Sequence, residues 1–338
     1  MNKTFKSDFF SVETKKVMMI CLICTWVLQL TAQQLIPFEE TTNYVKKYGY
    51  KDKNGKIIIP AKFDKAGKFI DGLGYVQMGG KYGFIDSTSK EIIPLIYDDA
   101  RGFNEGLCAV NKGATKKGGM FGGGKWGFID KTGKIIIPII YNLVADFRDG
   151  LAAVRTSDKW GFIDKSGKMI IPERYDEIRD FREGFASVRR ELSEEELIKA
   201  KITRQDKYAI TRWTYIDKTG KEMVMPTYTY AMSFSEGLLP LQVATEKIND
   251  NRWGFVDKKG NTVIPFQFKS VIGFSEGWAP VFIDTAWGYI DKKGKLVIPA
   301  KYQYAYQFKN GTAQVVIGTK NYILDKKGNE LEGKKEYN

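Results

Sequence analysis

The chain has 338 residues, 43% hydrophobic and 14% aromatic, a composition that excludes an intrinsically disordered polymer and suffices for one large domain or two average ones. It contains no histidine, so the commonest general base and the commonest metal ligand are both missing. The formal charge is +13, and its meaning depends on where in the fold it sits.

The first predicted element is a signal segment. Lys15 and Lys16 precede a predominantly apolar run from Val17 to Leu30, followed by small and polar residues. Fourteen residues fall short of the roughly 20 that a membrane span needs but match a secretory apolar region. Cleavage is expected near Ala32 or Gln33, giving a signal peptide over 1–32 and an exported protein in the periplasm, on the outer membrane surface or outside the cell. An uncleaved anchor is the alternative, and the membrane is expected to be met only through this segment. Cys21 and Cys24 lie inside it, so no disulfide framework or zinc site remains, and Cys108 reads as a small buried apolar residue. Residues 33–47 read as an N-terminal linker, and 332–338 as a charged tail.

From Tyr48 onward the chain repeats itself. The core "aromatic-Gly-aromatic-Ile-Asp" begins at Tyr48, Tyr82, Trp126, Trp160, Trp213, Trp253 and Trp287, with a fading eighth copy from Asn321. The steps are 34, 44, 34, 53, 40, 34 and 34, a base period of 34 with three insertions. Each unit predicts three short strands. "WGFID" alternates across a sheet, and "DKSGK" has the Asp and Gly of a hairpin turn. "MIIP" or "IIIP" is a β-branched run, expected to be buried on both faces and to end at its proline. "FASV" then follows Gly184. Tyr175 and Phe181 in the connecting segment recur as Tyr141 and Phe147, and as Tyr97 and Phe103. Such a unit cannot bury its apolar faces alone, so neighbours must stack. Thr214 replaces the repeated glycine in the fifth unit, which makes that glycine helpful to close packing without being indispensable.

The recurring "KWGFID-K-x-G-K-x-x-I-P" followed by "F-x-E-G-x-A-x-V" resembles the WG-repeat family of bacterial β-rich repeat proteins. The resemblance covers Tyr48 to Leu331 and implies an all-β fold of tandem units with no shared catalytic residue. The expected architecture is an open, β-solenoid-like array of three-stranded repeats, with a closed propeller-like ring as the alternative, and one short inserted helix.

The insertions differ in character. Lys112–Trp126 is glycine-rich, and Gly119 with Gly124-Lys125 imitates a phosphate-binding loop. Trp126 stands where Ser or Thr should hold magnesium, and the segment leads into a strand rather than a helix, so a flexible loop between repeats is expected. Ser193 to Lys201 carries a capping box, Ser193 with Glu196, and predicts a short projecting helix. The third, around "ATEKINDN", reads as a polar loop.

No residue stands in a nucleophile or acid–base motif, so no enzyme activity, catalytic residue, metal site or cofactor is expected. The turn aspartates Asp86, Asp130, Asp164, Asp217, Asp257 and Asp291 read as backbone caps rather than calcium ligands, and Glu105, Asp149, Glu183, Glu236 and Glu276 as turn residues. Trp126, Trp160, Trp213, Trp253 and Trp287 read as structural core. Without residues 1–32 the charge is +11, and the eight hairpin turns carry +8 of it. If the units stack in register, Lys53, Lys131, Lys165, Lys218, Lys258, Lys292 and Lys326 form a ridge able to hold an acidic glycan or anionic lipid by multivalency. The expected function is that of a binding or scaffold module for protein partners of the cell envelope, with polyanion binding through this ridge as the alternative and an enzyme without an identifiable site as the third reading. Nucleic acid is not an expected partner.

Overall fold

The computed structural model describes residues 35–117, 120–200, 210–224, 227–244 and 250–331. The expected signal peptide and the charged tail lie outside the described residues. Two compact units are formed, one by residues up to Gly102 with Lys131–Gly133, the other by Phe103–Asp130 with Lys134 onward.

The described chain is almost entirely antiparallel sheet. β1 (Ile36–Thr42), β2 (Val45–Lys51) and β3 (Ile57–Phe63) form the first sheet, and β4 (Lys65–Ile70), β5 (Leu73–Met78), β6 (Lys81–Ile85) and β7 (Glu91–Tyr97) the second. The stretch read as a linker is therefore built into the fold, because Ile36–Thr42 pairs residue by residue with Val45–Lys51. β8 (Asp99–Asn104), β9 (Leu107–Lys117), β10 (Met120–Ile129) and β11 (Ile135–Tyr141) make the third sheet. β12 (Leu143–Val144), β13 (Leu151–Arg155), β14 (Trp160–Asp164) and β15 (Met169–Tyr175) make the fourth. The fifth has β16 (Glu177–Ile178), β17 (Phe185–Glu191) and β18 (Thr211–Asp217), with α1 (Glu194–Ala200) between the last two. β19 (Tyr230–Ala231), β20 (Leu239–Val243), β21 (Arg252–Val256) and β22 (Thr262–Phe268) form the sixth, and β23 (Ser270–Val271), β24 (Trp278–Ile283), β25 (Ala286–Asp291) and β26 (Leu296–Tyr302) the seventh. The faded copy supplies β29 (Lys320–Asp325), which completes an eighth sheet with β27 (Tyr304–Ala305) and β28 (Thr312–Ile317).

The sheets do not coincide with the sequence units. "LAAVR" of one unit pairs with "WGFID" of the next, Leu151 opposite Asp164 and Val154 opposite Gly161. Each unit is thus shared between two sheets, and the connecting segment adds a short first strand such as β12.

The two middle strands are buried on both faces. Leu151 and Ala153 pack with Phe162, Phe181 and Val188, whereas Ala152, Val154 and Ile163 pack with Phe128 and Phe147. The "IIIP" strand instead lies at the sheet edge with one face covered. Ile137 and Ile171 are buried while Ile135 and Met169 are exposed. The expectation of burial on both faces fails because this strand is last in the four-strand order. Nor does its proline end it. Between the pairs Trp160–Tyr175 and Phe162–Ile171, residues 172–174 oppose Gly161 alone. Pro172 therefore occupies a bulge where the ladder is already interrupted, and the strand runs on to Tyr175. A Cβ on Gly161 would stand 2.6 Å from the Ile171 carbonyl oxygen and 2.7 Å from the Glu173 nitrogen. In the fifth sheet Thr214 fills that space and its Oγ1 donates to the Val224 carbonyl at 2.7 Å. Among the described residues this sheet has three strands, and bridges Trp213–Tyr228 and Ile216–Glu222 continue the register beyond them.

Aromatic pairs repeat between successive sheets. Phe128–Phe147, Phe162–Phe181, Phe255–Phe274 and Tyr289–Phe308 meet edge-on with centroids 4.9, 4.9, 5.0 and 5.1 Å apart. This is the recurrence of Phe181 and Phe147 seen in the sequence, converted into the packing that stacks the sheets.

Candidate functional site

All three insertions fall at one structural position, the hairpin joining the second and third strands of a sheet. Residues 112–124 take in the end of β9 and the start of β10, α1 lies between β17 and β18, and "ATEKINDN" between β20 and β21. The glycine-rich insertion is not a simple loop. It prolongs the hairpin, with Lys112 opposite Lys125 and Met120 opposite Lys117. Lys125 Nζ donates to Asn142 Oδ1 at 2.5 Å, as Lys159 does to Asp176 Oδ1 at 2.5 Å and Lys47 to Asp64 Oδ1 at 2.6 Å. The same pairing joins Lys81 to Asp98. The lysine before the aromatic-Gly pair is thus a cross-strand clamp within the repeat.

The helix is docked by its N-terminal half. Ser193 Oγ accepts from the Glu196 N–H at 3.3 Å and the Ser193 N–H donates to Glu196 Oε2 at 2.8 Å, the reciprocal capping box. Arg190 chelates Glu196 at 2.8 Å through two nitrogens and Glu222 at 2.6 and 2.8 Å, while Leu197 is buried. Ile198 on the same helix is 76% exposed. The Arg190 guanidinium holds the Glu196 carboxyl down at about 2, against an ordinary value of 4.5. A lowered folded-state pKa contributes stability above the ordinary value and loses it as pH falls from 4.5 towards about 2. Glu196→Gln should therefore lower the melting temperature at neutral pH, and the difference from the parent chain should vanish in melts taken near the lower limit.

The hairpin turns are organised by their aspartates. Asp164 Oδ1 accepts from the backbone N–H of Ser166 at 2.9 Å and of Lys168 at 3.1 Å, and Asp217, Asp257 and Asp291 do the same two and four residues on. Asp86 accepts from Thr88 and Lys90, and Asp130 from Lys134. The Ser166 hydroxyl lowers the Asp164 pKa by a further hydrogen bond.

The acids before glycine do more than turn the chain. Glu105, Asp149, Glu183, Glu236 and Glu276 have φ between 48° and 54°, and each is followed by a glycine of positive φ, the two-residue turn whose twist suits a hairpin. A non-glycine residue there costs about 1 kcal/mol or more. Opposing that cost, each carboxylate accepts the glycine N–H of the next turn. The bonds are Gly150 to Glu105 at 3.1 Å, Gly184 to Asp149 at 2.7 Å, Gly237 to Glu183 at 2.9 Å, Gly277 to Glu236 at 3.0 Å and Gly311 to Glu276 at 3.0 Å. The Gly311 bond holds the Glu276 carboxyl below its ordinary value.

The lysines of the candidate ridge meet these same acids. Lys165 lies 3.1 Å from Glu105, Lys258 3.1 Å from Glu183, Lys292 3.1 Å from Glu236 and Lys326 3.5 Å from Glu276. In the other unit Lys131 lies 2.8 Å from Asp71. Lys53 and Lys218 form no ion pair among the described residues. Reading each residue within its own unit missed these pairs. The available signal was that one lysine and one acid recur per repeat in fixed order.

Among the tryptophans, Trp126, Trp213 and Trp253 are buried, whereas Trp160 and Trp287 are partly exposed and packed against the core. Cys108 is buried. Among the described residues no cluster of three or more Cys, Asp or Glu could hold a metal, and no helix is long and apolar enough to cross a membrane.

The pattern of the WG containing repeat matches residues 48–82, 82–115, 126–160, 160–191, 213–243, 253–284 and 287–320. The chain belongs to this family. The copy from Asn321 lies beyond the matched residues but occupies the same place in its sheet. No curated protein matches. Among solved structures, the WG-repeat chain is similar to a eukaryotic initiation factor at 10% identity, covering 89% of this chain and 95% of that one with a TM-score of 0.41. It is also similar to Kluyveromyces lactis Hsv2 (10% identity, 75% and 71% covered, TM-score 0.29). A third is Pyrococcus horikoshii acylaminoacyl peptidase (12% identity, 90% and 51% covered, TM-score 0.36).

Proposed function

We propose that this WG-repeat chain is a non-enzymatic binding module of an exported protein, engaging a protein partner of the cell envelope through the hairpin tips between second and third strands. The observation that carries this reading is the shared position of the three insertions. Variable segments set on a rigid repeat scaffold are where binding is placed at least cost to the fold. The tips also differ from one another, a prolonged hairpin beside a docked helix bearing exposed Ile198, which suits a shaped protein surface better than a uniform polymer. Export rests on the sequence of residues 15–32.

The alternative, a polyanion held along the lysine ridge, draws support from the +8 of the hairpin turns. Five of its seven lysines already hold a carboxylate, which lowers the field that a polymer would meet. The test is capture from envelope extract at low and high salt. Ile198→Glu, and separately replacement of 113–123 by a two-residue turn, should weaken capture while melting temperatures stay close to the parent chain. Capture that survives both changes but is lost at high salt, and when Lys53 and Lys218 become glutamine, would replace this reading with the polyanion one.

A further inference from the structure

A second row of contacts runs between the same turns. The residue after Phe in one turn faces the residue before Phe in the next sheet. Asn104 Nδ2 donates to Asp146 Oδ2 at 3.1 Å, and Arg148 Nε lies 3.7 Å from Asp180 Oδ2. The next two acceptor positions are Ser233 and Gly273, so the row runs out of acids. Arg182, the third donor, makes no side-chain hydrogen bond or ion pair among the described residues. The Ser235 hydroxyl, the fourth, is buried without a partner. A Cβ on Gly273 would stand 2.6 Å from Ser235 Oγ, which identifies the missing side chain opposite it.

Both residues line one cavity of about 360 Å³, together with Asn104 and Arg148 and the buried rings of Phe147, Phe181 and Phe234. That volume suits a small ligand. The carboxylates on its wall, Glu105, Asp149 and Glu183, each accept the glycine N–H of the following turn, and Glu105 and Glu183 also pair with Lys165 and Lys258. Above its aromatic floor the cavity adds the guanidinium forks of Arg182 and Arg148.

We infer that this cavity binds a small oxyanion, a carboxylate or phosphate group, through Arg182 with Arg148. The guanidinium fork matches two oxygens of either group. The cavity is separate from the hairpin tips, so variants of the tips leave it intact and the two readings fail independently.

The test is titration of the full chain with inorganic phosphate and, in parallel, with succinate, at constant ionic strength, followed by calorimetry and thermal melting. Saturable binding of at least one probe is expected, and the probe that binds names the oxyanion. Arg182→Gln should weaken it about tenfold or more, the scale of a charge-assisted fork. Ser233→Asp restores the missing acid opposite Arg182 and should abolish binding while holding or raising the melting temperature. Lys218→Gln should change nothing. Absence of saturable binding by the parent chain, parental affinity in Arg182→Gln, or loss in Lys218→Gln would each overturn the assignment.

Discussion

Trp213→Ala is expected to lower stability by about 3–5 kcal/mol, the range for deleting a fully buried aromatic side chain. Trp213 is 1% exposed and packs with Tyr215, Phe234 and Leu241 of two successive sheets. It also stacks near Tyr230 at 5.6 Å and under the Arg179 guanidinium at 4.9 Å. Among the described residues the fifth sheet has no regular fourth strand to collapse into the space, so the cavity should persist. Trp160→Ala removes the same residue from the same motif but should cost clearly less, because Trp160 is partly exposed, with the Arg155 guanidinium 5.3 Å from its ring. Chemical denaturation of both variants checks the order. Equal losses would mean that position in the repeat, rather than burial, sets the cost.

Gly161→Ala is expected to cost about 3 kcal/mol or more, at the upper end of what overpacking does. The added methyl would meet backbone at 2.6 and 2.7 Å, and backbone in a paired strand cannot move aside as a flexible side chain can. The same approach, between 2.4 and 2.7 Å to a carbonyl oxygen, recurs at Gly49, Gly83, Gly127, Gly254 and Gly288. Thr214→Gly is the complementary change. It deletes a fully buried side chain and its bond to Val224, and opens the space that the other sheets use for the bulge. Comparing amide exchange over 221–224 in that variant with exchange over 168–171 in the parent chain shows whether the fourth strand closes once the glycine is restored.

Much of this was readable from residues near one another in the chain. Aspartate and glycine in "DKSGK" specify a turn through bonds spanning four residues, and the structure has that turn with those bonds. Ser193 and Glu196 announced a helix for the same reason. The alternation in "WGFID" is a property of any strand, so Phe162 and Ile163 had to face opposite ways. What failed were inferences about neighbours. A run of isoleucines says that something apolar is near, and it does not say whether the strand is central or last in its sheet. The glycine-rich insertion looked like a loop because its composition lacks strand formers. It pairs because β9 and β10 already lead into it in register.

The sequence by itself determined that this protein is all-β, that it is built from one unit of 34 residues, and where each unit turns. These follow from hydrogen bonds and side-chain alternation within a few residues of each position. Only the tertiary structure decided that each sheet joins two units, that prolines sit in bulges closed by glycines, and that hairpin lysines reach the turn acids of the preceding sheet. It also decided that the row of acids stops at Ser233 and Gly273, leaving Arg182 on the wall of a cavity and the Ser235 hydroxyl buried opposite Gly273. Those contacts join residues tens of positions apart, so they depend on how one sheet lies against the next, which no single stretch of chain encodes.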